Sequence, residues 1–249
     1  MINDIQIGPL TLHVYGIMVA IGFVSALMIS EKRAKNRGMN TDILYGIFWC
    51  AIFGGAAGSK LLYYTVSFPD ILKDPSILWN FQNGWVVYGG IIGGVLASLV
   101  YCRYKKADFV QYLDLVLPSV AFAQGCGRIG CFFAGCCYGR ETDSILCIQY
   151  WQSTYAPNGV KLVPTQIYSS IGDFALAFLL MAYAKTEPKK GKVAAVYCIL
   201  YSIGRFVIEI FRNDNRGALG FLSTSQMISI LILILGIGMF VMFEKRSEN

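Results

Sequence analysis

The sequence predicts an all-α, polytopic integral membrane protein with about seven transmembrane helices, its N-terminus outside and its C-terminus cytoplasmic. Three observations carry this expectation. Of 249 residues, 55% are hydrophobic and only 14% charged, at a mean hydropathy of +0.53, whereas a soluble domain carries about a quarter charged residues. Long apolar stretches recur along the chain, and Lys and Arg gather in alternate connections between them. The 26 Gly against 7 Pro exclude a collagen-like or Pro-rich disordered chain and suit close helix packing in lipid.

Crossing a ~30 Å hydrocarbon core takes about 20 apolar residues. Suitable stretches lie near 10–30, 43–65, 84–102, 109–134, 167–184, 193–211 and 226–243. The first and last hold no charged residue. The second holds Lys60, and the third is rich in glycine. The fourth contains Asp114 and Arg128 and is crowded with Gly and Cys from Gly125 onward. The fifth contains Asp173, and the sixth Arg205 and Glu209. Backbone groups in lipid must be satisfied internally, which makes these helices; the alternating pattern of a barrel strand is absent.

Orientation follows from the basic residues of the short loops. One set of connections holds thirteen: Lys32, Arg33, Lys35, Arg37, Arg103, Lys105, Lys106, Lys185, Lys189, Lys190, Lys192, Lys245 and Arg246. The other holds five: Lys73, Arg140, Lys161, Arg212 and Arg216. The net charge of +6 thus marks a cytoplasmic face, and nucleic acid is not an expected partner. Residues 1–10 carry Asp4 and no Lys or Arg, the reverse of a signal peptide's basic start. Without repeats or long linkers, residues 1–249 read as one domain, with 66–83 and 138–166 as candidate substrate-facing segments.

A charge at membrane depth costs about 2.5–3.5 kcal/mol, so each one is a functional candidate. Arg205 and Glu209 are spaced i,i+4 and share a helix face; a simple intrahelical ion pair is the plainer alternative. Arg128 lies between Gly127 and Gly130, where a ligand can approach closely, and its planar fork matches phosphate oxygens. Snorkelling to the outer interface is the alternative for Arg128 and the expected state of Lys60. Asp114, upstream of Leu117-Pro118, either orients an arginine or caps a broken helix. Two arginines in the outer half of the bundle point to an anionic ligand reached from within the membrane, such as a phospholipid headgroup.

Five of eight cysteines, Cys126, Cys131, Cys136, Cys137 and Cys147, fall within 126–147. No C-x-x-C spacing of the common zinc or thioredoxin kind occurs. Small apolar packing residues, an outer-face disulfide, and a thiol or metal site are the three readings. His13 is the only histidine and sits where an interface residue would.

The run Gly125-Cys126-Gly127-Arg128-Ile129-Gly130-Cys131-Phe132-Phe133-Ala134-Gly135-Cys136-Cys137-Tyr138-Gly139 resembles the signature of the bacterial prolipoprotein diacylglyceryl transferases. Tyr15-Gly16, Gly58-Ser59-Lys60-Leu61, Tyr88-Gly89-Gly90-Ile91-Ile92-Gly93-Gly94 and Pro164-Thr165-Gln166-Ile167-Tyr168 resemble further family segments in order and spacing. So do Tyr201, Arg205-Phe206, Glu209 and Arg212, and then Thr224-Ser225-Gln226 with Ser229. The resemblance implies a multi-pass enzyme of the bacterial cytoplasmic (inner) membrane. It would move a diacylglyceryl group from phosphatidylglycerol to the lipobox cysteine of prolipoproteins, giving a thioether and glycerol phosphate. Its partners would be membrane lipid and prolipoprotein lipobox peptides.

Carried onto this chain, the resemblance makes Arg128 and Arg205 the holders of the lipid phosphate. Tyr15 and Tyr88 line the reacting centre, and Glu209 with Asp114 orients the arginines. Gly89, Gly90, Gly127 and Gly130 permit close lipid and helix approach, and neither metal nor cofactor is needed. The chain departs from the family pattern in four places. Tyr88 replaces the family's histidine, and Cys131, Ala134 and Cys136 replace two asparagines and a glutamate. A tyrosine is a poor general base at neutral pH, although it can donate a hydrogen bond. A relative acting on another thiol or lipid, a carrier-thiol role for the cysteines, and a non-catalytic lipid- or metal-binding protein are the alternatives.

Overall fold

The computed structural model describes residues 4–7, 10–79, 84–213, 218–219 and 222–245; Arg216 and Arg246 of the charge pattern lie outside them. In chain order the elements begin with strands β1 (Asp4–Ile7) and β2 (Leu10–His13), then helices α1 (Val14–Asn36), α2 (Thr41–Val66) and the short α3 (Phe68–Lys73). A 3₁₀ turn at Pro75–Trp79 leads to α4 (Val87–Tyr104) and α5 (Phe109–Ala134). Strands β3 (Ile148–Gln149) and β4 (Lys161–Leu162) precede α6 (Thr165–Lys185) and α7 (Lys192–Phe211). The small pair β5 (Ala218–Leu219) and β6 (Leu222–Ser223) then leads into α8 (Thr224–Lys245).

Among the described residues, seven helices are long and apolar enough to cross a membrane: α1, α2, α4, α5, α6, α7 and α8. Each coincides with an expected span. The largest shift is at the first, where residues 10–13 form β2 and pair antiparallel with β1. Leu10-Thr11-Leu12-His13 alternates apolar and polar with a period of two, the strand period. α1 then continues to Asn36, past Glu31, Lys32, Arg33 and Lys35. The glycine- and cysteine-rich end of the fourth span remains helical to Ala134 despite Pro118 inside it. Gly135, at φ +73°, ends it in the left-handed conformation common just past a helix terminus.

The chain forms two compact units, residues 31–112 and residues 1–30 with 113–249. In the first unit, Asn40 caps α2 by accepting from the backbone N–H of Asp42 at 2.8 Å. Helices α2 and α4 pack on glycine. A Cβ on Gly58 would overlap the carbonyl oxygen of Gly89, one on Gly89 that of Gly58, and one on Gly93 that of Gly54. Two helices meeting backbone to backbone is the small-residue mode of association in lipid. The Ser59 hydroxyl donates to the carbonyl of Val86 at 2.9 Å. Lys60 does not snorkel: it is 7% exposed, with its Nζ 5.0 Å from the ring centre of Trp85 and 5.3 Å from that of Tyr63. Cation–π attraction offsets part of the cost of that burial.

In the second unit, α6 and α7 share a core of Ala121, Leu176, Ala177, Leu180 and Val193. The Ser170 hydroxyl donates to the carbonyl of Gly125 at 2.9 Å and ties α6 to α5. Asp114 caps α7, accepting from the N–H of Gly191 at 2.5 Å and of Ala194 at 2.8 Å. A carboxylate there satisfies orphan donors and complements the helix dipole. The expectation that Asp114 orients the arginines is corrected accordingly, because Arg205 lies 11 residues beyond Ala194 on α7 and Arg128 lies 14 residues beyond Asp114 on α5, separations of about 16–21 Å at 1.5 Å per residue.

Candidate active site

The second unit gathers its charged groups on the facing sides of α5, α6 and α7. Arg128 stands on α5 beside Gly127, where a Cβ would meet nothing within 4 Å. The ring of Tyr15 lies 3.1 Å from where a Cβ of Gly130 would stand. Glycine at 130 thus lets the α1 tyrosine rest on the α5 backbone. On α6, Asp173 places its Oδ2 3.9 Å from Nε of Arg128, close enough to hold the guanidinium without occupying its hydrogen-bonding edge.

Arg205 is fixed from α7 and α8. Its Nη2 donates to the Ser225 hydroxyl at 3.0 Å and lies 3.0 Å from Oε2 of Glu209. The Ser223 hydroxyl donates to the other Glu209 oxygen at 3.1 Å, so the carboxylate is held at both ends. The Nη1 atom of Arg205 is buried with no hydrogen-bond partner among the described residues. An orphaned buried donor on a cation is costly and marks where an anion would be received.

Arg128 and Arg205 both line a cleft of about 260 Å³ between α6 and α7. Asp173 and Tyr201 share it, and Leu176, Leu179, Leu200 and Ile208 form its apolar walls. Tyr201 stacks on Tyr197 at 5.5 Å between ring centres, and the Tyr197 hydroxyl donates to Gln124 at 3.0 Å. Two guanidinium groups in an otherwise largely apolar slot suit an amphiphile with an anionic head. The fork of each can take two phosphate oxygens.

Past the end of α5 the chain turns sharply, with Gly135 at φ +73° and Cys137 at φ +62°. Cys131, Cys136 and Cys137 then bring their sulfurs within 4.8 Å of one another. The first residues of α6 hold this turn from behind. Thr165 donates its hydroxyl to the carbonyl of Cys137 and Gln166 its amide to that of Cys136, each at 2.7 Å. Tyr150 closes the far side, donating to the carbonyl of Phe132 at 3.1 Å. All eight cysteines are free thiols, so the disulfide reading finds no bridge here.

Residues 4–242 match the family model described as prolipoprotein diacylglyceryl transferase. The chain belongs to the prolipoprotein diacylglyceryl transferase family. A curated relative from Clostridium tetani, named phosphatidylglycerol–prolipoprotein diacylglyceryl transferase, is 46% identical over 239 residues, covering 96% of each chain. Two from Clostridium perfringens bear the same name, numbered 2 and 1. The first is 46% identical over 233 residues, 93% of this chain and 91% of the relative. The second is 34% identical over 257 residues, 98% of this chain and 95% of the relative.

In this member of the diacylglyceryl transferase family, Arg128 and Arg205 line the α6/α7 cleft, Glu209 pairs with Arg205, and Tyr15 rests against Gly130 on α5; Tyr15, Gly127, Gly130 and Glu209 are not part of the cleft lining. Tyr88, Gly89 and Gly90 stand in the first turn of α4, in the other unit, and Gly89 is taken up by the contact with Gly58. Two site residues lay outside the expected set. Asp173 was visible as a charge at membrane depth but had no partner assigned by sequence, and Tyr201 lay one turn before Arg205 in the late-helix motif.

Proposed function

We propose that this chain transfers the diacylglyceryl group of phosphatidylglycerol to the lipobox cysteine thiol of prolipoproteins. The observation that carries the reading is the apolar α6/α7 cleft holding Arg128 and Arg205, with one guanidinium nitrogen left unpaired. In this reading the phosphate of the lipid bridges the two arginines and the acyl chains lie along Leu176, Leu179 and Leu200. The guanidinium groups stabilise the growing charge on glycerol phosphate as it leaves, an electrostatic contribution strongest where water is excluded. The sulfur nucleophile is the thiolate, and at a free Cys pKa of about 8.5 only a few per cent ionises unaided at neutral pH.

In this reading Tyr15 lines the reacting centre, resting against Gly130, and Gly127 leaves room for lipid. Glu209 orients Arg205, and Asp173 rather than Asp114 steadies Arg128. The whole chain acts as one domain in the bacterial cytoplasmic membrane, with its N-terminus outside, where prolipoproteins emerge. Nucleic acid has no part in it.

The test is mass spectrometry of a lipobox peptide incubated with the purified protein and phosphatidylglycerol. A diacylglyceryl mass gain on the peptide cysteine, abolished by Arg128→Ala and by Arg205→Ala, is expected. Full activity in both variants would remove the phosphate-anchor role. No gain from the unaltered protein, beside an active relative as positive control, would point to another acceptor or lipid.

A further inference from the structure

We propose that Cys131, Cys136 and Cys137 form a three-thiolate site for a soft cation, Zn²⁺ in the first instance, whose open fourth position binds the acceptor cysteine as thiolate. The proposal rests on the transferase reading above and extends it to the origin of the nucleophile.

Geometry is the first support. The three sulfurs lie within 4.8 Å of one another. A tetrahedral zinc with Zn–S bonds of about 2.3 Å needs sulfurs roughly 3.8 Å apart, so rotamer adjustment of about an ångström closes the site. The chain is already committed to this arrangement. Cys131 is on the last turns of α5, the left-handed residues Gly135 and Cys137 fold the following segment back on it, and Thr165 and Gln166 pin the carbonyls of Cys137 and Cys136. Outer hydrogen bonds that fix ligand orientation are the usual support of a metal site. Three protein ligands and a vacant fourth position are the arrangement of catalytic rather than structural zinc.

Composition is the second support. Cys131, Cys136 and Cys137 are three of the five cysteines within residues 126–147, and thiolate sulfur is the soft ligand that selects zinc over hard cations.

Chemistry is the third. The nucleophile of the proposed reaction is a thiolate, not a thiol. A thiol that coordinates zinc is deprotonated outright. The acceptor S–H proton passes to water on coordination. The sulfur lone pair then forms the S–C bond to the glyceryl carbon while that carbon's C–O bond breaks, its electron pair leaving on glycerol phosphate. The protein thiols do not relay the lipid covalently, since a thioether formed on them would have no ready leaving group.

The experiment titrates metal-free protein, purified in detergent, with Co²⁺, Zn²⁺ and Cu⁺ in parallel. One Co²⁺ per chain with thiolate-to-metal charge-transfer bands is expected, displaced by Zn²⁺ and lost in Cys131→Ser and Cys136→Ser but kept in Cys50→Ser. A lipobox peptide should shift those bands, and its Cys→Ser analogue should not. Zinc-loaded protein should transfer lipid at neutral pH, where metal-free protein transfers little. Cobalt bound without charge-transfer bands, or bands indifferent to the peptide, overturns the proposal, as does Cu⁺ binding that excludes Zn²⁺. Full transfer by metal-free protein overturns it while leaving the transferase reading intact. Peptide-dependent cobalt spectra without any lipid transfer support the thiol-binding site and overturn the transferase reading instead.

Discussion

Glu209 lies one helical turn beyond Arg205, its Oε2 3.0 Å from Nη2, and holds the guanidinium so that its buried Nη1 remains unpaired. In the proposed function this pair supports the phosphate of the lipid. Glu209→Gln keeps the shape and removes the charge, and lipid transfer should fall about 10- to 100-fold, as loss of an orienting partner usually costs. Steady-state kinetics with varied phosphatidylglycerol would check it; unchanged rates would reduce the pair to a structural bridge.

Arg128→Lys keeps a positive charge beside Asp173 but loses the planar fork. If the phosphate is held by two oxygens, transfer should drop at least about tenfold. Asp173→Asn should cost less, because its carboxylate stands 3.9 Å from Nε and forms no short hydrogen bond to it.

Gly58→Ala should lower the stability of the α2/α4 pair by about 1–3 kcal/mol, the usual cost of overpacking. The added methyl would overlap the Gly89 carbonyl oxygen and the backbone of Gly93, neither of which can swing aside. Gly55→Ala is the control, since its Cβ would stand 3.4 Å from the carbonyl oxygen of Gly90, an ordinary contact. Thermal unfolding in micelles distinguishes the two.

Asp114→Ala should destabilise the fold by about 1–2 kcal/mol, the range for losing a helix cap. Its cost should appear in the unfolding temperature. A loss of transfer in correctly folded protein would instead restore an arginine-orienting role.

Tyr150, outside the membrane helices, has its hydroxyl pushed up to about 12 by burial. A raised acid favours the folded, protonated form, so its share of stability is complete below the ordinary tyrosine value near 10 and is lost as pH climbs through about 12. Tyr150→Phe should therefore flatten the alkaline decline of stability. Unfolding followed from neutral pH to about 11 tests this, and an unchanged slope would contradict it.

The membrane helices were legible because hydropathy over twenty residues integrates many small transfer energies, and no single contact decides it. The arginines were legible for the opposite reason, each being an isolated expense in an apolar run. Asp114 was misread because its partners, Gly191 and Ala194, lie 77 and 80 residues away, and no local pattern announces such a cap. Lys60 looked like a snorkelling side chain because the ring of Trp85 that covers it arrives from beyond the second span. The thiol cluster was half legible: the crowding of cysteines showed, but the fold-back that unites Cys131 with Cys136 and Cys137 depends on two left-handed residues and on hydrogen bonds from α6.

The glycine contact between α2 and α4 has a bearing on how the protein is made. Backbones that touch without intervening side chains lose almost no rotamer entropy on pairing, and the association needs no aqueous driving force. The two helices can therefore join as soon as both have entered the bilayer, before the arginine-bearing helices have been synthesised. Residues 31–112 would then be an early, self-sufficient piece of the nascent chain, and the later, more polar segments would be spared a solitary wait in lipid.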